Sequence, residues 1–153
     1  MIDITDYAKL SGALTQLHAD DQPLFGIMTP QHMTEHLASI VRFSNGKDPR
    51  QLVFPADRAQ KNKEIIIYTD TALPLGFKSP ALPKEGLADL THSDLASAIE
   101  TLQQELADFD SYFAQYPDAT PMNPIMGELN HREWIVFHSK HFTHHFKQFG
   151  LIR

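Results

Sequence analysis

The stretch "SDLASAIETLQQELADFDSYFAQY", residues 93–116, sets Leu95, Ile99, Leu102, Leu106, Phe109 and Phe113 at alternating steps of four and three. That spacing is the apolar seam of a long amphipathic helix, with polar side chains on its remaining faces. Such a helix is stable only if the seam is buried, so the rest of the chain is read for partners. "TPQHMTEHLASIVRFSNG", residues 29–46, supplies one: Thr29 caps, Pro30 suits the first turn, and Met33, Leu37, Ile40 and Val41 share a side before Gly46. "DITDYAKLSGALTQLHA", residues 3–19, carries Tyr7, Leu10, Leu14 and Leu17 at helical steps, with Asp3 or Thr5 as N-cap. After the break "PDATPMNPIMGEL", Asn130 and Glu133 form a capping-box start for a last helix over about 130–148, ended by Gly150.

Between the second helix and residue 93 lies a long crossover. Its segment "ADRAQKNKEIIIYTD" reads as a short helix, although "EIIIYT" has the β-propensity of a strand. A strand there would have no partner strand. "TALPLGFKSPALPKEGLADL", residues 71–90, combines Pro and Gly with many apolar residues, as expected of an ordered crossover that covers something. Four amphipathic helices and one long crossover make an all-α bundle the economical fold, and 153 residues suit one domain spanning 1–153.

Charge and composition exclude several functions. Net charge is −6 and the thirteen Lys and Arg are scattered, so nothing gathers phosphate backbones and nucleic acid is not expected as a partner. The chain has no cysteine, which removes disulfides, thiolate nucleophiles and cysteine-ligated zinc; any metal must use His, Asp or Glu. The start "MIDITDYAKL" is acidic and polar where a signal peptide would be basic then apolar, and no apolar run approaches ~18 residues. A cytoplasmic protein without membrane association is the expectation.

The chemistry is concentrated in "HSKHFTHHFKQF", residues 138–149, with four histidines in eight positions. At about 100° per residue, His138, His141 and His145 fall within roughly 40° of Trp134, beside the face carrying Ile135, Phe142, Phe146 and Phe149. They point to the core or its rim. His141 and His145 stand at i, i+4, which lets two imidazoles converge on one ion, and helix two offers His36 as a third ligand with His32 one turn earlier. A buried histidine is more often a packed core residue, but four in eight positions, at a cost in helix propensity and desolvation, exceed what packing explains. A pH-responsive cluster is the competing reading. Carboxylate-bridged di-iron chemistry does not fit: only Glu128 and His131 have E-x-x-H spacing, and they straddle Gly127 and the helix start.

The motifs "TPQHMTEHL" and "HREWIVFHSKHFTHHFKQFGL" resemble those of the DinB/YfiT-like superfamily of metalloproteins, in residue pattern and in helix order across essentially the whole chain. The resemblance implies a four-helix bundle in up-down-down-up order and a divalent cation held by His36, His141 and His145. Zinc or nickel is the expected ion, with manganese and iron also compatible, since three imidazoles do not select one metal. It further implies an open coordination position used by a low-molecular-weight thiol, as in thiol-dependent S-transferases, or by water, as in a hydrolase, and a homodimer. The alternative is a non-catalytic small-molecule or protein-binding helical module. Around the ligands, His32, His138, His144, Gln148 and Trp134 are read as supporting or pocket residues, with Trp134, a lone tryptophan, more readily a core or rim anchor that packs the bundle. Glu35 is read as a surface charge, His18, His92 and His131 receive no role, and Met122 and Met126 are gap fillers or sit over a pocket mouth.

Overall fold

The computed structural model describes residues 1–73, 83 and 86–153. In chain order it contains α1 (Tyr7–Leu14), α2 (Pro30–Val41), α3 (Ala56–Tyr68), α4 (Leu95–Gln115), β1 (Met122–Asn123), β2 (Gly127–Glu128) and α5 (His131–Gln148). The described chain is mostly helical. Most of the long crossover's Pro- and Gly-rich portion, residues 74–82, 84 and 85, lies outside the described residues.

Local chemistry sets the helix ends. Thr29 accepts from the His32 N–H and Pro30 occupies the first turn of α2; Asp94 accepts from the Ser97 N–H at 2.8 Å to start α4. At α5 the capping box is reciprocal, with Asn130 and Glu133 each bonding the other's backbone N–H at 2.9 Å. The first helix is shorter than its periodicity suggests and is capped by Asp6 rather than Asp3 or Thr5. The residues before it are used elsewhere: the N–H groups of Ile2 and Ile4 donate to Thr143 and Ser139 on α5, at 2.8 and 3.2 Å. Leu17 still reaches the core, from a turn beyond the helix end.

The "EIIIYT" segment is helical through Tyr68, with Thr69 as an extended C-cap. A helix satisfies its own backbone, and the carbonyls at its C-terminal end find a donor in Lys140 of α5, whose Nζ bonds the carbonyls of Ile66, Thr69 and Thr71. The segment before α5 contains a two-stranded hairpin, Met122 opposite Glu128 and Asn123 opposite Gly127, which the sequence reading leaves as a simple break. Gly127, at φ +81°, takes the turn conformation that other residues avoid.

α2 packs against α4 and α5, and α3 lies against α5 and β2. Met33 and Leu37 of α2, Leu102, Leu106 and Phe109 of α4, and Trp134, Phe142 and Phe146 of α5 are buried together. Each such side chain contributes on the order of 1.5–3 kcal/mol through burial. Met126 belongs to this core, and neither it nor Met122 lines the site cavity. Among the described residues no helix is long and apolar enough to cross a membrane.

Candidate metal centre

α2 and α5 bring His36, His141 and His145 together. One ligand nitrogen from each lies within 4.8 Å of the others, and all three residues are buried. The Nε2 atom of His141 stands 3.0 Å from that of His36 and 3.2 Å from that of His145. Nitrogens bound tetrahedrally to one zinc at 2.0–2.1 Å are about 3.3 Å apart, so the spacing fits a single small cation.

Hydrogen bonding fixes how the cluster presents itself. The Gln148 amide donates from Nε2 to the Phe25 carbonyl at 3.0 Å, which turns its oxygen towards His145 Nδ1 at 2.8 Å. A carbonyl oxygen can only accept, so Nδ1 carries the proton and the Nε2 lone pair of His145 faces the other two rings. Gly26 makes room for this arrangement: it adopts φ +75°, and a Cβ there would come within 3.0 Å of Gln148 Nε2. Burial depresses the basicity of all three histidines. His36 falls to about 3, through burial and then the neighbouring His145 and His144; His145 falls to about 4, mainly through burial; His141 lies well below the ordinary value, for the same reason and because other imidazoles surround it. At neutral pH the cluster is uncharged, the state in which imidazole binds metal.

The three rings open onto a cavity of about 760 Å³. Of the residues proposed around them, His32, His144 and Gln148 line it. His32 Nδ1 is bonded to Thr29 Oγ1 at 2.5 Å, while His144 packs edge-on against Phe25 and bonds the Leu73 backbone. His138 and Trp134 do not line the cavity; Trp134 packs in the bundle, the reading its sequence context favours, and His138 lies beside it. Both are 0% exposed; Trp134 donates to the Pro121 carbonyl at 3.0 Å and stacks on His138 at 5.1 Å. The helical angle placed them on the correct face, but the neighbour opposite differs. His138 meets Ser44, beyond the end of α2, and Phe109 of α4, which fill the space that the cavity occupies farther along.

Several cavity residues escaped the sequence reading. Glu35 is no free surface charge: its carboxylate accepts from the Thr91 N–H and hydroxyl at 2.7 and 2.8 Å, from Gln31 at 2.9 Å and from the His92 N–H at 3.3 Å. Burial alone would raise its pKa, but these donors outweigh burial and hold it at about 2. Thr91 spends its hydroxyl proton on Glu35, so its oxygen accepts from His92 Nδ1 at 3.1 Å. His92 Nε2 is then left to accept from the Thr101 hydroxyl at 2.9 Å. This chain of bonds fastens the end of the crossover to α2 and α4. The available signal was a polar stripe on α2, His32, Glu35, Ser39 and Arg42, running beside the apolar one at the same three- and four-residue steps.

The molecule is thus a mostly helical protein with a buried three-histidine group able to hold a metal ion. Residues 69–150 match the family described as "Protein of unknown function (DUF1569)", and the chain belongs to that family. The matched span contains His141, His145 and Gln148 but not His36. No curated protein and no solved structure matches the chain.

Proposed function

We propose that this protein is a divalent-metal-dependent enzyme of the DinB/YfiT-like type, a thiol-dependent transferase or a hydrolase, with His36, His141 and His145 as ligands. The observation that carries the reading is the convergence of three uncharged imidazoles, one with its lone pair aimed inward by Gln148. Helix order gives further support. Contacts pair Tyr7 with Asp110 and Ser11 with Gln103, in opposite chain directions, and likewise Ser44 with His138 and His36 with His141. Those between α2 and α4 run in the same direction, Glu35 near His92 and Arg42 with Glu105. An up-down-down-up bundle has these relations.

A divalent ion in the site supplies Lewis acidity, which lowers the pKa of a thiol or water entering an open position. The chain's own residues do the rest. The three imidazoles leave the cavity side open, Gln148 holds His145 in one tautomer, and the Glu35 network holds the cavity wall. With no cysteine in the sequence, a sulfur nucleophile has to arrive with a cosubstrate.

Elemental analysis of untagged protein tests the reading. Wild type is expected to carry about one divalent ion per chain, and His36→Ala and His141→Ala to carry essentially none. Absence of stoichiometric metal after metal addition would leave the non-catalytic binding module as the better description. In cobalt-substituted protein, a thiolate-to-metal charge-transfer band on adding glutathione supports the transferase, and its absence favours the hydrolase.

A further inference from the structure

We propose that the cavity binds a ligand with an apolar body and a single anionic oxygen group, carboxylate or phosphate, and that Arg42 holds the anion while the three-histidine site faces the other end. The proposal deepens the functional reading above and rests on the same cavity.

Arg42 is the one Lys or Arg among the described residues that line the cavity. Its guanidinium is held from behind by a buried carboxylate: Nη1 donates to Glu105 Oε2 at 2.9 Å, and the Glu105 side chain is only 3% exposed. A buried carboxylate would normally consume its cation, but Glu105 has other donors. Lys47 bonds its Oε1 and Asn45 its Oε1 and backbone carbonyl, while Lys47 also bonds Asp108 at 2.5 Å. Arg42 therefore shares Glu105 with Lys47, in a cluster whose two cations and two carboxylates balance, and what it offers the cavity is its remaining N–H donors. Its remaining N–H groups have no acceptor among the described residues, and the side chain is 42% exposed. A planar guanidinium fixed along one edge and free along the other suits an incoming carboxylate or phosphate oxygen pair.

Glu35, the other carboxylate on the α2 side of the wall, does not compete for this cation. Glu35 is satisfied by Thr91, Gln31 and His92. The cavity lining also includes Phe25, Met28, Ala38 and Leu87, with Ile27 and Leu90 at 66% and 44% exposure. Large aliphatic side chains left open around a concave site are expected where an apolar ligand covers them. Arg42 lies six residues beyond His36 on and just past α2, an axial separation of about 9 Å. Arg42 and the three histidines line the same cavity, so one extended ligand can contact both.

Calorimetric titration with octanoate, octyl phosphate and uncharged octanamide tests this, using metal-free and zinc-loaded wild type, Arg42→Gln and Arg42→Lys. Metal-free protein isolates Arg42 from any binding of the anion to the ion. There, octanoate or octyl phosphate is expected to bind about tenfold or more tighter than octanamide, with Arg42→Gln abolishing the preference and Arg42→Lys keeping part of it. Zinc stoichiometry should be unchanged in both variants. If neither anion is preferred over octanamide by metal-free wild type, or if Arg42→Gln keeps the preference, the proposal is overturned. The wild-type comparison decides even if a variant fails to fold. Failure of wild type to take up zinc sinks the metal reading and leaves the metal-free arm intact.

Discussion

Within one turn of α5, His138 and His141 share a buried face, and each meets a polar group from the second helix or the segment just after it. Their surroundings dictate opposite chemistry. Ser44 donates its hydroxyl proton to the Val41 carbonyl at 2.8 Å, so its oxygen accepts from His138 Nε2 at 2.8 Å. The proton of His138 therefore sits on Nε2, the atom that would have to be bare to bind a metal. In His145 the Gln148 oxygen pulls the proton to Nδ1 and bares Nε2. Trp134, Phe109 and Phe137 wrap His138, whereas the rings of His141 and His145 reach a cavity. One histidine is a hydrogen-bonded core residue; the others form a site. What separates their chemistry is the hydrogen-bond partner opposite.

Acid should break both regions together. The folded-state pKa values of His36 and His138, about 3, and of His145, about 4, lie below the ordinary 6.5, chiefly through burial. The unfolded chain then binds more protons than the folded one below about 6.5. The histidines' contribution is intact above that pH and is lost as the pH falls towards 3 to 4. Metal-free protein is expected to show a melting temperature that drops steadily across this window, and added zinc should raise it most at the upper end.

Single substitutions separate the regions. His141→Ala should lower zinc affinity by about three orders of magnitude or more, since it removes the ligand between the other two; competition with a chelating dye reads this out. His138→Ala should leave zinc stoichiometry intact but cost about 2–4 kcal/mol in urea unfolding, because it opens a cavity beside Trp134 and leaves Ser44 without its donor. Equal effects of the two on zinc would erase the distinction. Gln148→Leu should weaken zinc binding by about 10–100-fold while the ligands remain, as expected when an orienting partner is lost. Glu35→Gln should cost the least, about 1–2 kcal/mol, and show as faster amide exchange at Thr91 and His92.

These contrasts explain what the sequence could reveal. Periodicity exposed α2, α4 and α5, and the caps at Thr29 and Asn130 marked their starts, because those signals are local. The i, i+4 pair on α5 and His36, one of two histidines on α2, were legible for the same reason. Spacing alone separates His138, whose i+4 neighbour is Phe142, from the His141 and His145 pair, but its burial against Ser44 and Phe109 depends on residues from distant positions. Glu35 was misread because its partners, Thr91 and His92, lie more than fifty residues away across the crossover. The hairpin at 122–128 and the lysine cap on α3 likewise depend on tertiary neighbours.

X-ray absorption at the metal edge of zinc-loaded, untagged protein tests the central claim most directly. Three imidazole nitrogens at about 2.0–2.1 Å, with at least one further light-atom ligand, are predicted, and His138→Ala should leave the spectrum unchanged. A spectrum with fewer than three imidazoles, or one altered by His138→Ala as much as by His141→Ala, would contradict the assignment of His36, His141 and His145 as the site.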